Sequence, residues 1–146
     1  MHFDDLSIGQ TFEIQPVSLS EDEIVAFAAD WDPQEFHTDK AAAEKSHFGG
    51  LIASGFHTLL AVFRGLTQTD LFKTASMGSP GMSEVKWLKP VRPGDILSSE
   101  MEVIDLRASQ TRLDRGYGII EHRAKNQDGE MVLSYRSTVI LARKKS

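Results

Sequence analysis

The spacing of apolar residues changes character between the two halves of this chain, and that change limits the fold more than any other feature. From Ile24 to Leu66 apolar residues recur three and four positions apart. Beyond Gly78-Ser79-Pro80-Gly81 they alternate with polar ones. One strand-like segment, Thr11 to Val17, precedes the helical part. Helices first and strands afterwards predict an α+β domain with the helices gathered against one antiparallel sheet.

Ser20-Glu21-Asp22-Glu23 has the form of a capping box, in which the serine hydroxyl and the glutamate satisfy each other's backbone N–H. Ile24, Phe27, Ala28 and Trp31 then follow as one apolar helix face. Asp32-Pro33 ends that helix, because the residue before a proline is pushed out of the α region. A short helix is expected from Thr38 to Glu44, and Ser54 is the expected N-cap of the next one. In that helix Phe56, Leu59, Leu60 and Phe63 form a stripe, with Ala53, Ala61 and Val62 apolar elsewhere. Apolar residues most of the way round predict a central helix buried on several sides. Strands are expected over Met82–Leu88, Ile96–Leu106, Tyr117–Lys125 and from Met131 to Ala142. A hairpin turn at Asn126-Gln127-Asp128-Gly129, with left-handed Asp and Gly, should join the last two. Arg143-Lys144-Lys145 reads as a solvated basic end.

With 146 residues and no linker, repeat or low-complexity tract, residues 1–146 are read as a single domain. The absence of cysteine excludes disulfides, thiolate nucleophiles and thiolate metal sites. A net charge of −5 argues against nucleic acid as a partner. The start, Met1-His2-Phe3-Asp4-Asp5, lacks the basic and apolar regions of a signal peptide. The most apolar stretch, Ala53–Leu66, is too short to span a membrane and contains His57 and Arg64. A soluble cytoplasmic protein is expected.

The chemistry concentrates in Asp32-Pro33-Gln34-Glu35-Phe36-His37 and Phe48-Gly49-Gly50-Leu51-Ile52-Ala53-Ser54-Gly55. Asp32 and His37 are five residues apart, which on a continuous helix would splay them by about 140°. On a proline-broken loop they can converge on one water and move its proton. Taken alone, the pair reads first as a helix terminator and a structural histidine. Gly55 adds a third element at a helix start, where N–H groups are unpaired and the dipole is positive. A glycine there would let a substrate carbonyl approach an oxyanion site. Gly49, Gly50 and Gly55 would equally permit tight packing. His57 is expected to be a partly buried structural residue, His47 a loop hydrogen-bonder and His122 solvent-facing. No two histidines have the four-residue spacing of a metal pair, so no metal site is expected.

Together these segments resemble the MaoC-like family of hot-dog-fold hydratases and dehydratases, including the (R)-specific enoyl-CoA hydratases. The family pattern is Asp-x-Asn-Pro-x-His, a short helix, then Phe-Gly-x-x-Ile-Ala-His-Gly. Asp32 and His37 fall on its two catalytic positions, and Phe48, Gly49, Ile52, Ala53 and Gly55 match the second block. Trp87-Leu88-Lys89-Pro90-Val91-Arg92-Pro93-Gly94-Asp95 resembles the Pro-Val-x-Pro-Gly-Asp element that opens the family's next strand. The chain departs from the pattern at Pro33 and Gln34, at Ser54 in place of His, and at Phe63, where some relatives carry a hydroxyl.

The resemblance implies a single hot-dog fold, an antiparallel sheet wrapped around a long central helix. It implies reversible syn hydration of a trans-2-enoyl-CoA to the (R)-3-hydroxyacyl-CoA. Asp32 and His37 would activate the water and the Gly55 N–H would hold the thioester oxygen. Phe36, Phe48, Gly49, Ile52, Ala53 and Ser54 would bind the acyl-CoA thioester substrate, with Lys89 and Arg92 near the coenzyme A phosphates. Met77 and Met82 are read as core-filling. No metal or redox cofactor is called for. A homodimer, or a higher assembly, would complete the substrate channel. Two other functions share the fold: an acyl-CoA thioesterase and a non-catalytic acyl-thioester-binding subunit.

Overall fold

The computed structural model describes residues 1–73 and 75–145. Five strands, β1 (Thr11–Ser18), β2 (Gly81–Trp87), β3 (Ile96–Ala108), β4 (Arg115–Lys125) and β5 (Met131–Ala142), form one sheet in the order β1-β3-β4-β5-β2. Every neighbouring pair is antiparallel. The helices are α1 (Glu21–Trp31), α2 (Glu35–Thr38), α3 (Lys40–Lys45), α4 (Gly55–Thr67) and α5 (Asp70–Lys73). The α+β, hot-dog arrangement implied by the sequence is the one present.

Alternation does what it should in the sheet. On β4 Gly116, Gly118, Ile120, His122 and Ala124 are buried, and on β5 Leu133, Tyr135, Ser137, Val139 and Leu141. One cluster joins Leu66 of α4 to Ile14, Met101, Ile120 and Leu141. A second joins Val62 to Leu97, Ala124, Leu133 and Tyr135. Each fully buried Leu or Val stabilises the fold by roughly 1.5–3 kcal/mol. Gly65 is required for this packing, since a Cβ there would run into the Ile14 side chain.

The capping box at α1 forms as expected: Glu23 N–H donates to Ser20 Oγ and Ser20 N–H to Glu23 Oε1, both at 3.1 Å. Several expectations are corrected. The single short helix of Thr38–Glu44 is two pieces. Asp39 is extended between them and accepts from Ala42 N–H at 3.1 Å to start α3. Most of the α4 stripe faces outward, with Phe56, Leu60 and Phe63 exposed by 61%, 49% and 38%, while Leu59 packs against the second cluster. The buried face is Thr58, Val62, Gly65 and Leu66, the row that fits closely against the sheet. Trp31, the last residue of α1, is 76% exposed because nothing covers the end of that helix.

Met77 and Met82 are exposed rather than core-filling. In the β4–β5 turn only Gly129 is left-handed, with φ 75°. His122 is buried, because it shares the inward row of Ile120 and Ala124. His47 is exposed and meets the Phe48 ring instead of making a hydrogen bond. The basic end is anchored: Arg143 donates to Asp4 Oδ1 at 2.8 Å and Lys144 pairs with Asp5 at 2.5 Å.

Candidate active site

The loop that follows α1 does what a helix could not. Asp32 is the C-cap of α1, with φ −153° and ψ 68° that leave the helical region, and the single turn of α2 swings His37 back beneath it. His37 Nε2 lies 3.2 Å from Asp32 Oδ2. His37 is buried, while Asp32 keeps partial access to solvent.

The protonation of this pair follows from its partners. His37 Nδ1 is 2.6 Å from the Ile52 carbonyl, which can only accept, so Nδ1 carries the proton. Nε2 is the ring atom turned to Asp32 Oδ2. Asp32 accepts from Gln34 Nε2 on Oδ1 and from Ser54 Oγ on Oδ2, both at 2.7 Å. Burial pushes its carboxyl up, but the donors Gln34 and Ser54, with His37, outweigh that and hold it below the usual carboxylate value. Two lone pairs this close repel each other unless a donor sits between them or Nε2 is protonated. A water that donates to both satisfies the pair and leaves its own oxygen electron-rich.

Ser54 thus departs from its expected capping role. It is the residue before α4, but its side chain makes no cap and turns to Asp32 instead. The N–H groups of Gly55, Phe56 and His57 have no acceptor among the described residues, and they point their positive end at this corner. Of the two reasons for a glycine at 55, the packing one has a direct structural basis. The space a Cβ would occupy is filled by the Trp87 indole, so packing within the protein requires the glycine.

These groups border a pocket of about 380 Å³, within the range of small-molecule sites. Of the predicted residues, Asp32, His37, Gly55, Phe48, Ile52, Ala53 and Lys89 line it. Phe36 stands behind, with its ring 4.5 Å from that of His37 and 5.1 Å from that of Phe48. Gly49 supplies a left-handed turn, φ 69°, and does not line the pocket. Arg92 does not line it either. Its guanidinium donates to the Phe48 carbonyl at 2.6 Å and pins that loop to the strand connection. Lys89 pairs with Glu130.

Sequence reasoning left out Thr58, Trp87, Leu88 and Val132, all of which line the pocket. Trp87 and Leu88 were within reach, since they open the Pro90–Asp95 segment. Val132 comes from β5 and carries no local signal. His57 stacks on Phe27 at 4.4 Å away from this pocket, as a structural residue should. Among the described residues no three His, Asp or Glu side chains gather as metal ligands. No helix among them is long and apolar enough to cross a membrane.

Comparisons with known proteins agree with this geometry. Residues 5–123 match the family described as MaoC like domain. An uncharacterized Bacillus subtilis protein, YdeM, is 34% identical over 113 residues, 77% of this chain and 80% of YdeM. A mesaconyl-CoA hydratase of Cereibacter sphaeroides is 32% identical over 97% of this chain, which spans only 41% of that longer protein. Among solved structures, a MaoC-like dehydratase from Rhodospirillum rubrum superposes with a TM-score of 0.92 and 34% identity, over 100% of this chain and 99% of that one. A Mycobacterium tuberculosis protein with a double hot-dog fold gives a TM-score of 0.81 at 20% identity, over 100% of this chain and 45% of that one, a likeness of fold alone. With the paired Asp32 and His37 beside an open helix start, and with this profile and these relatives, the chain belongs to the MaoC-like dehydratase family of hot-dog-fold proteins.

Proposed function

We propose that the protein hydrates trans-2-enoyl-CoA thioesters reversibly to (R)-3-hydroxyacyl-CoA. The observation that carries this reading is the approach of Asp32 Oδ2 and His37 Nε2 to 3.2 Å beside the unpaired N–H groups of α4. A water donating to both acceptors is held and made nucleophilic. Its oxygen attacks C3 of the enoyl group. The proton it loses passes to the Asp32–His37 pair and returns to C2 on the same face. Charge that builds on the thioester oxygen meets the Gly55 N–H and the positive end of α4. One such donor is typically worth about 3–4 kcal/mol of barrier.

The mesaconyl-CoA hydratase relative supports a thioester substrate and water chemistry. The outward apolar row of α4, next to the exposed Trp87, Leu88 and Met82, supports a homodimer that closes the channel between subunits. The position of Lys89 on the pocket wall supports a contact with the coenzyme A phosphates once its pairing with Glu130 opens. The reaction draws on no cofactor.

The test is loss of enoyl-thioester absorbance with crotonyl-CoA and longer analogues. Wild type should turn over, and Asp32→Asn should lose at least about 100-fold in kcat. If wild type is as inert as Asp32→Asn across the panel, the reading fails. Release of free thiol would favour a thioesterase, and tight binding without turnover would favour an acyl-thioester-binding subunit.

A further inference from the structure

An aspartate carboxylate has no fixed plane of its own, because the χ2 torsion is broad and roughly two-fold. Asp32 is held at both oxygens, each time by a residue at a helix start. Gln34 is the N-cap of α2 and Ser54 the N-cap of α4, and neither side chain caps its own helix. Ser54 Oγ donates to Oδ2 and Gln34 Nε2 to Oδ1, each at 2.7 Å. A single donor on Oδ2 would leave Oδ1 free to swing about the Cβ–Cγ bond. The second donor, on the opposite oxygen, stops that rotation and keeps Oδ2 as the oxygen that faces His37 Nε2 at 3.2 Å.

Gln34 also holds the other member of the pair. Its carbonyl accepts from His37 N–H at 2.9 Å and from Thr38 Oγ1 at 3.2 Å. Its own N–H donates to the Asp32 carbonyl at 2.7 Å. Pro33, whose ring fixes φ, stands between Asp32 and Gln34. One residue therefore ties together the backbone of Asp32, the backbone of His37 and the Asp32 carboxylate, at the wall of the pocket.

We propose that Gln34 is a positioning residue whose amide fixes the plane of the Asp32 carboxylate, so that Oδ2 and His37 Nε2 converge on one water. This rests on the hydratase reading above. Orientation and charge can be told apart. Losing a donor raises the Asp32 carboxyl, and that effect vanishes at a pH where the carboxyl is ionised in wild type and variant alike. A turned carboxylate is slow at every pH.

Gln34→Met keeps the length of the side chain and removes its donor. Gln34 is exposed, so the variant should fold, and its thermal midpoint checks this. Two measurements beside wild type test the proposal: kcat and KM for crotonyl-CoA across pH, and the crystal structure of the variant. At about pH 8, well above any carboxyl pKa here, kcat should fall at least about tenfold while KM stays within about twofold. In the crystal structure the Asp32 carboxylate should be rotated, or split between two orientations. The proposal is overturned if kcat at that pH equals wild type, or if the carboxylate keeps its wild-type plane. Either result leaves the hydratase reading intact. A wild type inert toward crotonyl-CoA and its longer analogues would sink the hydratase reading, and the plane of the carboxylate in the variant would then decide the role of Gln34 by itself.

Discussion

At the level of single residues, Ser54 changes most between its sequence context and its structural role. It stands where a helix cap belongs, yet its hydroxyl serves Asp32. Removing that donor should let burial raise the Asp32 carboxyl. A carboxylate must be ionised to accept the water proton, so activity is lost as pH falls through its pKa. In Ser54→Ala the acid limb of the kcat/KM profile should therefore move up by about one pH unit. Ser54→Thr, which keeps a hydroxyl, should restore it. An acid limb unmoved in Ser54→Ala would assign the serine to packing alone. The Asp32–His37 pairing was legible because proline breaks the helix between them. The Ser54 contact was not, since it joins residues 22 apart through a fold that local spacing does not encode.

The strands show how periodicity can be read and misread. Their extents follow from alternation, and the observed ranges differ from the expected ones by one or two residues, as strand ends usually do. His122 was misplaced because its neighbours Glu121 and Arg123 are charged, although Ile120 and Ala124 put it on the inward row. The placement has a thermodynamic consequence. His122 has its pKa lowered by burial to about 4, against 6.5 for the free group. Between those values the unfolded chain binds a proton that the folded one does not, so stability should fall as pH drops from about 6.5 to about 4 and level off below. The full effect is on the order of 3 kcal/mol. Thermal midpoints measured across that range should show the slope in wild type. His122→Phe, which keeps the stacking on Tyr135, should reduce it, leaving the part that belongs to His57, whose pKa burial also lowers. An equal slope in both would put the titration elsewhere. The face of α4 was misjudged for another reason. Phe and Leu were assigned inward by hydrophobicity, but Thr58 and Gly65 are the residues small enough to sit against the sheet.

For the whole molecule, the outward row of α4 and the exposed end of β2 form one apolar surface beside the candidate site. A C2 pair of such surfaces is self-complementary, because each copy offers the same patch. Leu60, exposed and outside the pocket lining, is the residue to probe. Leu60→Glu should shift the protein from dimer to monomer in sedimentation at micromolar concentration. Hydratase activity should fall at least about tenfold with it. A monomeric wild type under the same conditions would remove the dimer from the proposal.

The contact between Gly55 and Trp87 bears on how such a chain can vary over generations. Any side chain at 55 collides with the indole, so the two positions are not free to change independently. A lineage that places alanine at 55 must first have shrunk or turned the residue at 87. The reverse order passes through a disrupted intermediate. A side chain at 55 therefore calls for a change at 87, 32 positions along the sequence. Variation at the end of β2 is where a change at the start of α4 would first be announced.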